Sequence, residues 1–200
     1  MRTTVVCFAN LGVIVGVVLG SIAPVYADNT TVYLPLIASD QKPTHFQLIS
    51  VRLWTPTENG HVPGSADLCG EQHVLQVHVF DTCGDCGEAS RLHGAGVLVL
   101  HTTNDGNSTS EIVQTGADGT AAGVAQFDLQ TRAQIWIASD ASGETATSDT
   151  TRVTTQVGEI SFHDLMSAGY CSDNASCGQF AASSNCNGHF SWTVAFKMVK

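Results

Sequence analysis

Apolar and polar residues alternate along most of this chain, with the period of two that puts one face of a β-strand in a core. In Val74-Leu75-Gln76-Val77-His78-Val79-Phe80, Leu75, Val77 and Val79 share one face, and Val74, Gln76, His78 and Phe80 share the other. Comparable runs predict strands over 46–54, 92–101, 111–115, 124–129, 133–139 and 150–156, with turn signals between them. The turn Thr115-Gly116-Ala117-Asp118-Gly119-Thr120 stands between two such runs, and its Asp-Gly supplies φ > 0 cheaply, so a hairpin is expected there. Near the end, Phe190, Trp192, Val194, Phe196 and Met198 alternate with Ser191, Thr193, Ala195 and Lys197. That is the strongest strand signal in the chain. It predicts an added edge strand, with Lys197 and Lys200 discouraging further pairing.

The fold class that follows is all-β: an immunoglobulin-like β-sandwich over residues 45–157, then a Cys-containing, disulfide-tied extension over 158–200 that supplies the edge strand. Residues before the sandwich divide in two. Arg2, the apolar run Leu11 to Gly20 and Val25-Tyr26-Ala27 form the three parts of a secretory signal peptide over 1–27, cleaved after Ala27. Residues 28–44 read as a linker, in which the apolar Tyr33-Leu34-Pro35-Leu36-Ile37 is a docking segment, an edge piece lying on the sandwich, or part of a disordered leader.

Composition narrows the function classes. Hydrophobic residues make up 43 % and charged residues only 13 %, which suits a β-rich extracellular protein. The formal charge is −10, and removing Arg2 with the leader takes it to −11. A phosphate backbone would be repelled, which excludes nucleic acid as a partner.

A resemblance is carried by Val77-His78-Val79-Phe80-Asp81, Gly94-Ala95-Gly96-Val97-Leu98-Val99-Leu100, Thr115-Gly116-Ala117-Asp118-Gly119-Thr120-Ala121 and Ile135-Trp136-Ile137-Ala138-Ser139-Asp140. Over about residues 70–156 this pattern resembles the bacterial Ig-like domains of the invasin/intimin type. The resemblance implies a sandwich with an adhesive, spacer or surface-structure role and no catalytic residues. The Cys-bearing loop at 83–86 and the tail from 157 lie outside the pattern.

After leader removal six cysteines remain: Cys69, Cys83, Cys86, Cys171, Cys177 and Cys186. An even number in an exported chain implies three disulfides with fifteen conceivable pairings; a local Cys83–Cys86 bridge and at least one bridge from Cys69 to the tail are expected. The competing use of the same thiols is zinc, through Cys69, His73, Cys83 and Cys86. Redox activity at Cys83-Gly84-Asp85-Cys86 is disfavoured because Asp85 and Glu88 would raise a thiol pKa.

Other chemistry is thin. No Gly-x-Ser-x-Gly elbow, His-Glu-x-x-His or phosphate-binding loop is present, so no catalytic residues and no cofactor are assigned. Calcium ligands are conceivable in the loops at Asp105, Asp118, Asp140 to Glu144 and Asp149, although Asp, Asn and Gly are also what turns prefer. Trp54, Trp136 and Trp192 would form a sugar-stacking platform if exposed, whereas the alternation of their strands favours core burial. The reading is a secreted, non-enzymatic Ig-like module with an adhesive, structural or partner-binding role at a bacterial cell surface. Its partner would be a protein or glycan; the alternative is an extracellular carbohydrate-binding module.

Overall fold

The computed structural model describes residues 43–65, 68–117 and 119–199, together with the backbone of three short strands nearer the N-terminus. Two compact units are present, Met1–Lys42 and Pro43–Lys200. In the first, β1 (Thr3–Val5) pairs antiparallel with both β2 (Val18–Leu19) and β3 (Leu34–Leu36). Apart from these strands and residues 43 and 44, the expected leader and linker, with most of the Tyr33-to-Ile37 segment, lie outside the described residues.

The second unit holds β4 (His45–Leu53), β5 (Val74–Phe80), β6 (Gly96–Thr102), β7 (Ser108–Gln114), β8 (Val124–Asp128), β9 (Arg132–Ser139), β10 (Thr147–Ser148), β11 (Thr151–Thr154) and β12 (Trp192–Val199). They form a five-stranded sheet in the order β10-β4-β12-β5-β8 and a four-stranded sheet in the order β11-β9-β6-β7. The inward positions of both sheets meet in one core. Phe46, Leu75, Val77, Val194 and Phe196 come from the first sheet, and Val97, Val99, Ile135 and Ile137 from the second, all fully buried. Alternation produces this directly in β5, β6 and β9, which bury every second side chain, and neither sheet can shed its apolar face except against the other.

Two expectations are corrected by the topology. The terminal strand is central rather than at an edge: β12 runs antiparallel to β4 and parallel to β5. Alternation of side chains reports which faces are covered and carries no information about lateral neighbours, so the pattern from Phe190 to Met198 fits a central strand equally well. Lys197 sits on the outward face of that central strand, opposite Gln47 and Phe80. The turn at 115–120 is likewise no hairpin. β7 pairs with β6 in one sheet and β8 with β5 in the other, so this turn crosses between sheets. Its hinge is the Gly116 N–H donating to the Val124 carbonyl at 2.7 Å.

The fold is also not purely β. Helix α1 (Phe162–Ala168) begins at Ser161, whose hydroxyl accepts from the Asp164 N–H, and ends at Gly169 in the left-handed region at φ 85°. Helix α2 (Asn174–Ser183) begins at Asp173, whose carboxylate accepts from the Ser176 N–H. Three disulfides join Cys69 to Cys186, Cys83 to Cys86 and Cys171 to Cys177. The first spans 117 residues and ties the loop before β5 to the segment that leads into β12. Among the described residues no helix is long and apolar enough to cross a membrane.

Candidate binding face

In β6 the side chains of Val97, Val99 and His101 point into the core, and in β9 those of Ala133, Ile135 and Ile137 do the same. The intervening residues therefore form the outer face of the four-stranded sheet. Its register aligns them in rows across the strands. Ile112 of β7 lies opposite Leu98 of β6, and Leu98 lies opposite Trp136 of β9, which gives an apolar row three strands wide. Ile112 is 60 % exposed, and Leu98 and Trp136 are half-buried. The next row, Ser110, Leu100, Gln134 and Arg152, is mostly polar.

A cavity of about 670 Å³ opens beside these rows at the β11 edge, where Leu100, Gln134 and Arg152 meet Val51, Ile160 and Trp192. One wall is held by an ion pair. The Arg132 Nε–H donates to both carboxylate oxygens of Glu159, at 2.8 and 3.0 Å, and its Nη2 also contacts Oε1. The Arg132 guanidinium holds the Glu159 carboxyl below its ordinary pKa, with Thr154 Oγ1 donating to it at 3.0 Å. Arg132 is thus committed to the fold. Arg152, by contrast, is exposed, and among the described residues its hydrogen-bond partner is the Gln134 side-chain oxygen, at 3.5 Å. The arrangement offers an apolar strip bordered by amide, hydroxyl and guanidinium groups. It is suited to contact and hydrogen bonding. Ser161 and Asp164 also line the cavity, the Ser161 hydroxyl donating to Asp164 Oδ2 at 2.6 Å.

The tryptophans divide. Trp192 is buried, whereas Trp54 and Trp136 are only half-buried, so the expectation of core burial holds for one of three. Trp54 donates from Nε1 to Thr193 Oγ1 at 2.8 Å on the outer face of the five-stranded sheet. Near it Arg52 donates to Glu58 Oε2 at 2.7 Å; with the Thr55 N–H and hydroxyl on the same oxygen, the Glu58 pKa falls to about 2.

The four residues considered for zinc do not form a ligand set. Cys69 is bonded to Cys186 and Cys83 to Cys86, and disulfide sulfurs lack the thiolate charge that zinc needs. His73 Nε2 instead lies 2.7 Å from Asp128 Oδ1. Among the described residues no group of three or more His, Cys, Asp or Glu is placed to hold a metal ion. The acidic loops spend their oxygens on themselves. Asp140 Oδ1 accepts from the Ser142 N–H and hydroxyl and from the Glu144 N–H, and Oδ2 accepts from Thr44 Oγ1. Asp105 does the same with Thr103 and Asn107, while Asp149 Oδ2 accepts from the Leu48 N–H at 3.0 Å. Asp118 lies outside the described residues.

Sequence reasoning did not single out Leu98, Ile112 or Arg152. A signal was available: strands 96–102, 108–114 and 132–139 each carry a large apolar residue on the face their own alternation assigns to solvent.

No family model, curated protein or solved structure matches this chain. The functional reading therefore rests on the outer face itself.

Proposed function

We propose that the chain acts as a secreted, non-enzymatic Ig-like module that holds a protein partner at the cell surface through the outer face of its four-stranded sheet. The observation that carries this reading is the row Ile112, Leu98 and Trp136. A solvated sheet face normally presents polar side chains, and a large aromatic at the end of a row of aliphatics, with hydrogen-bonding groups in the next row, has the composition of an interface centre. Three disulfides support an oxidising compartment. A second reading is favoured by one specific feature. Trp136 stands beside Gln134, and Arg152 lies opposite Gln134, a combination that stacks on the C–H face of a sugar while donating to its hydroxyls.

Labelled protein should bind intact cells, and Trp136→Thr, which keeps a β-favouring residue on the strand, should bind at least tenfold less. Loss after protease treatment of the cells identifies a protein partner. Loss after periodate oxidation of their surface identifies a glycan. Equal binding by Trp136→Thr and wild type would rule out this face.

A further inference from the structure

We infer that β7 is a self-complementary edge through which two copies of this chain join their four-stranded sheets into one continuous sheet. The sheet ends at β7, and among the described residues nothing pairs with its outer side. The strand is seven residues long, whereas the other edges, β10, β11 and β8, have two, four and five. Edge strands are ordinarily blunted by Lys, Pro, a bulge or shortness. Ser108-Thr109-Ser110-Glu111-Ile112-Val113-Gln114 has no Lys and no Pro, pairs with β6 without a register shift, and is exposed at every residue except Val113.

The hydrogen-bond phase decides which groups are free. Just before the strand the Thr103 N–H donates to the Asn107 carbonyl, and just after it the Thr115 N–H donates to the Ala95 carbonyl, so odd-numbered residues face β6. Ser108, Ser110, Ile112 and Gln114 therefore turn their N–H and C=O groups to the open edge. Their side chains are those of the outer face.

An approaching second copy has a small set of antiparallel registers, and charge and hydrophobicity choose among them. A two-fold axis at Glu111 would set two carboxylates face to face, which is unfavourable. An axis at Ser110 would set Ile112 against Ser108. With the axis at Ile112, the two Ile112 residues form a hydrogen-bonded pair, Ser110 faces Gln114, and Glu111 faces Val113 of the second copy. Only this register prolongs the apolar row, which then reads Trp136, Leu98, Ile112, Ile112, Leu98, Trp136 across the joined sheets. Glu111 also has a partner of its own, since its Oε2 lies 3.7 Å from His101 Nε2. Because each chain carries a net charge of −10, salt should strengthen the pairing by screening repulsion between the copies.

Sedimentation of the oxidised, secreted protein over rising concentration tests this. A monomer–dimer equilibrium that tightens at high ionic strength is expected. Ser110→Pro removes an N–H that faces the open edge while leaving the ladder to β6 intact, and Ile112→Lys puts two ammonium groups on the axis. Each should weaken the dimer by about tenfold or more with the far-UV circular dichroism unchanged. The register has its own test: under oxidising conditions Ile112→Cys should cross-link to its mate, and Ser110→Cys should not. Wild-type protein that stays monomeric at millimolar concentration, a dimer indifferent to both Ser110→Pro and Ile112→Lys, or cross-linking through Ser110→Cys instead would overturn the inference. Trp136→Thr leaves the edge untouched, so failure of the partner-binding reading and failure of this one are separable.

Discussion

The indole N–H of Trp192 donates to the backbone carbonyl of Thr154 at 2.9 Å, so the central strand of one sheet is hydrogen-bonded to the edge strand of the other. Sheets in a sandwich ordinarily meet only through apolar contacts; here one directional bond fixes how β12 sits over β11. Trp192→Phe keeps an aromatic ring but leaves the carbonyl without this donor, at a cost of about 1–3 kcal/mol, or a fall in Tm of roughly 3–10 °C. Trp54→Phe, which removes a bond to Thr193 on a half-buried outer face, should cost less. Thermal denaturation followed by circular dichroism would check the order, and equal losses would mean that the bond between sheets contributes nothing special.

The disulfides should differ in worth according to the loops they close. Cys69–Cys186 spans 117 residues and Cys83–Cys86 only three. In the chain-entropy account, the long bridge contributes about 5 kcal/mol and the short one about 2 kcal/mol. Urea unfolding of the Cys69→Ala/Cys186→Ala and Cys83→Ala/Cys86→Ala double variants should therefore show the larger loss for the first. The long bridge also anchors the segment that feeds the central strand, so its removal should slow the docking of β12.

How much of this was legible follows from what each signal encodes. Strand positions were readable at β5, β8, β9 and β12 because a period of two in Leu75, Val77 and Val79, or in Trp192, Val194 and Phe196, is imposed by burial of one face. Sheet order was not, because lateral neighbours are set by backbone hydrogen bonds that any side chain permits. Hence β12 turned out central and the 115–120 turn became a crossover. The helices were missed although Ser161-x-x-Asp164 and Asp173 are start signals and Gly169 a stop; α1 and α2 are short, and their apolar residues give little periodicity. The apolar residues of the outer face, Leu98, Ile112 and Trp136, are all readable in the sequence, but only the register shows that they stand in one row.

Gly70 is required for lack of space. A Cβ there would lie 1.6 Å from the Asn59 carbonyl oxygen, which is backbone and cannot rotate away. Asn59 is itself fully buried, and its side-chain amide donates to the His189 carbonyl, so the 55–72 loop and the approach to β12 are locked against one another at this point. Gly70→Ala must push that knot apart, costing about 3 kcal/mol or more. Gly84→Ala meets no atom within 4 Å and should be close to neutral. Denaturation midpoints of the two variants would check this, and a neutral Gly70→Ala would mean that residues 59 and 70 of this loop do not approach one another so closely.

His78 gives the fold a pH-dependent weakness. It is half-buried on the outer face of β5, and burial, then the positive charges of Arg91 and Arg52, lower its pKa below 6.5. The unfolded chain therefore takes up a proton at His78 before the folded chain does. Stability from this group is complete above pH 6.5, falls as the pH drops from there to the folded pKa, and stays at the lower level beneath it. His78→Gln cannot be protonated and should lose less stability than wild type between neutral pH and pH 5, whatever the other histidines contribute to both. Urea midpoints of wild type and His78→Gln at the two pH values would decide it. A wild type that gains on the variant under acid would mean that protonated His78 is stabilised by a partner in the folded state.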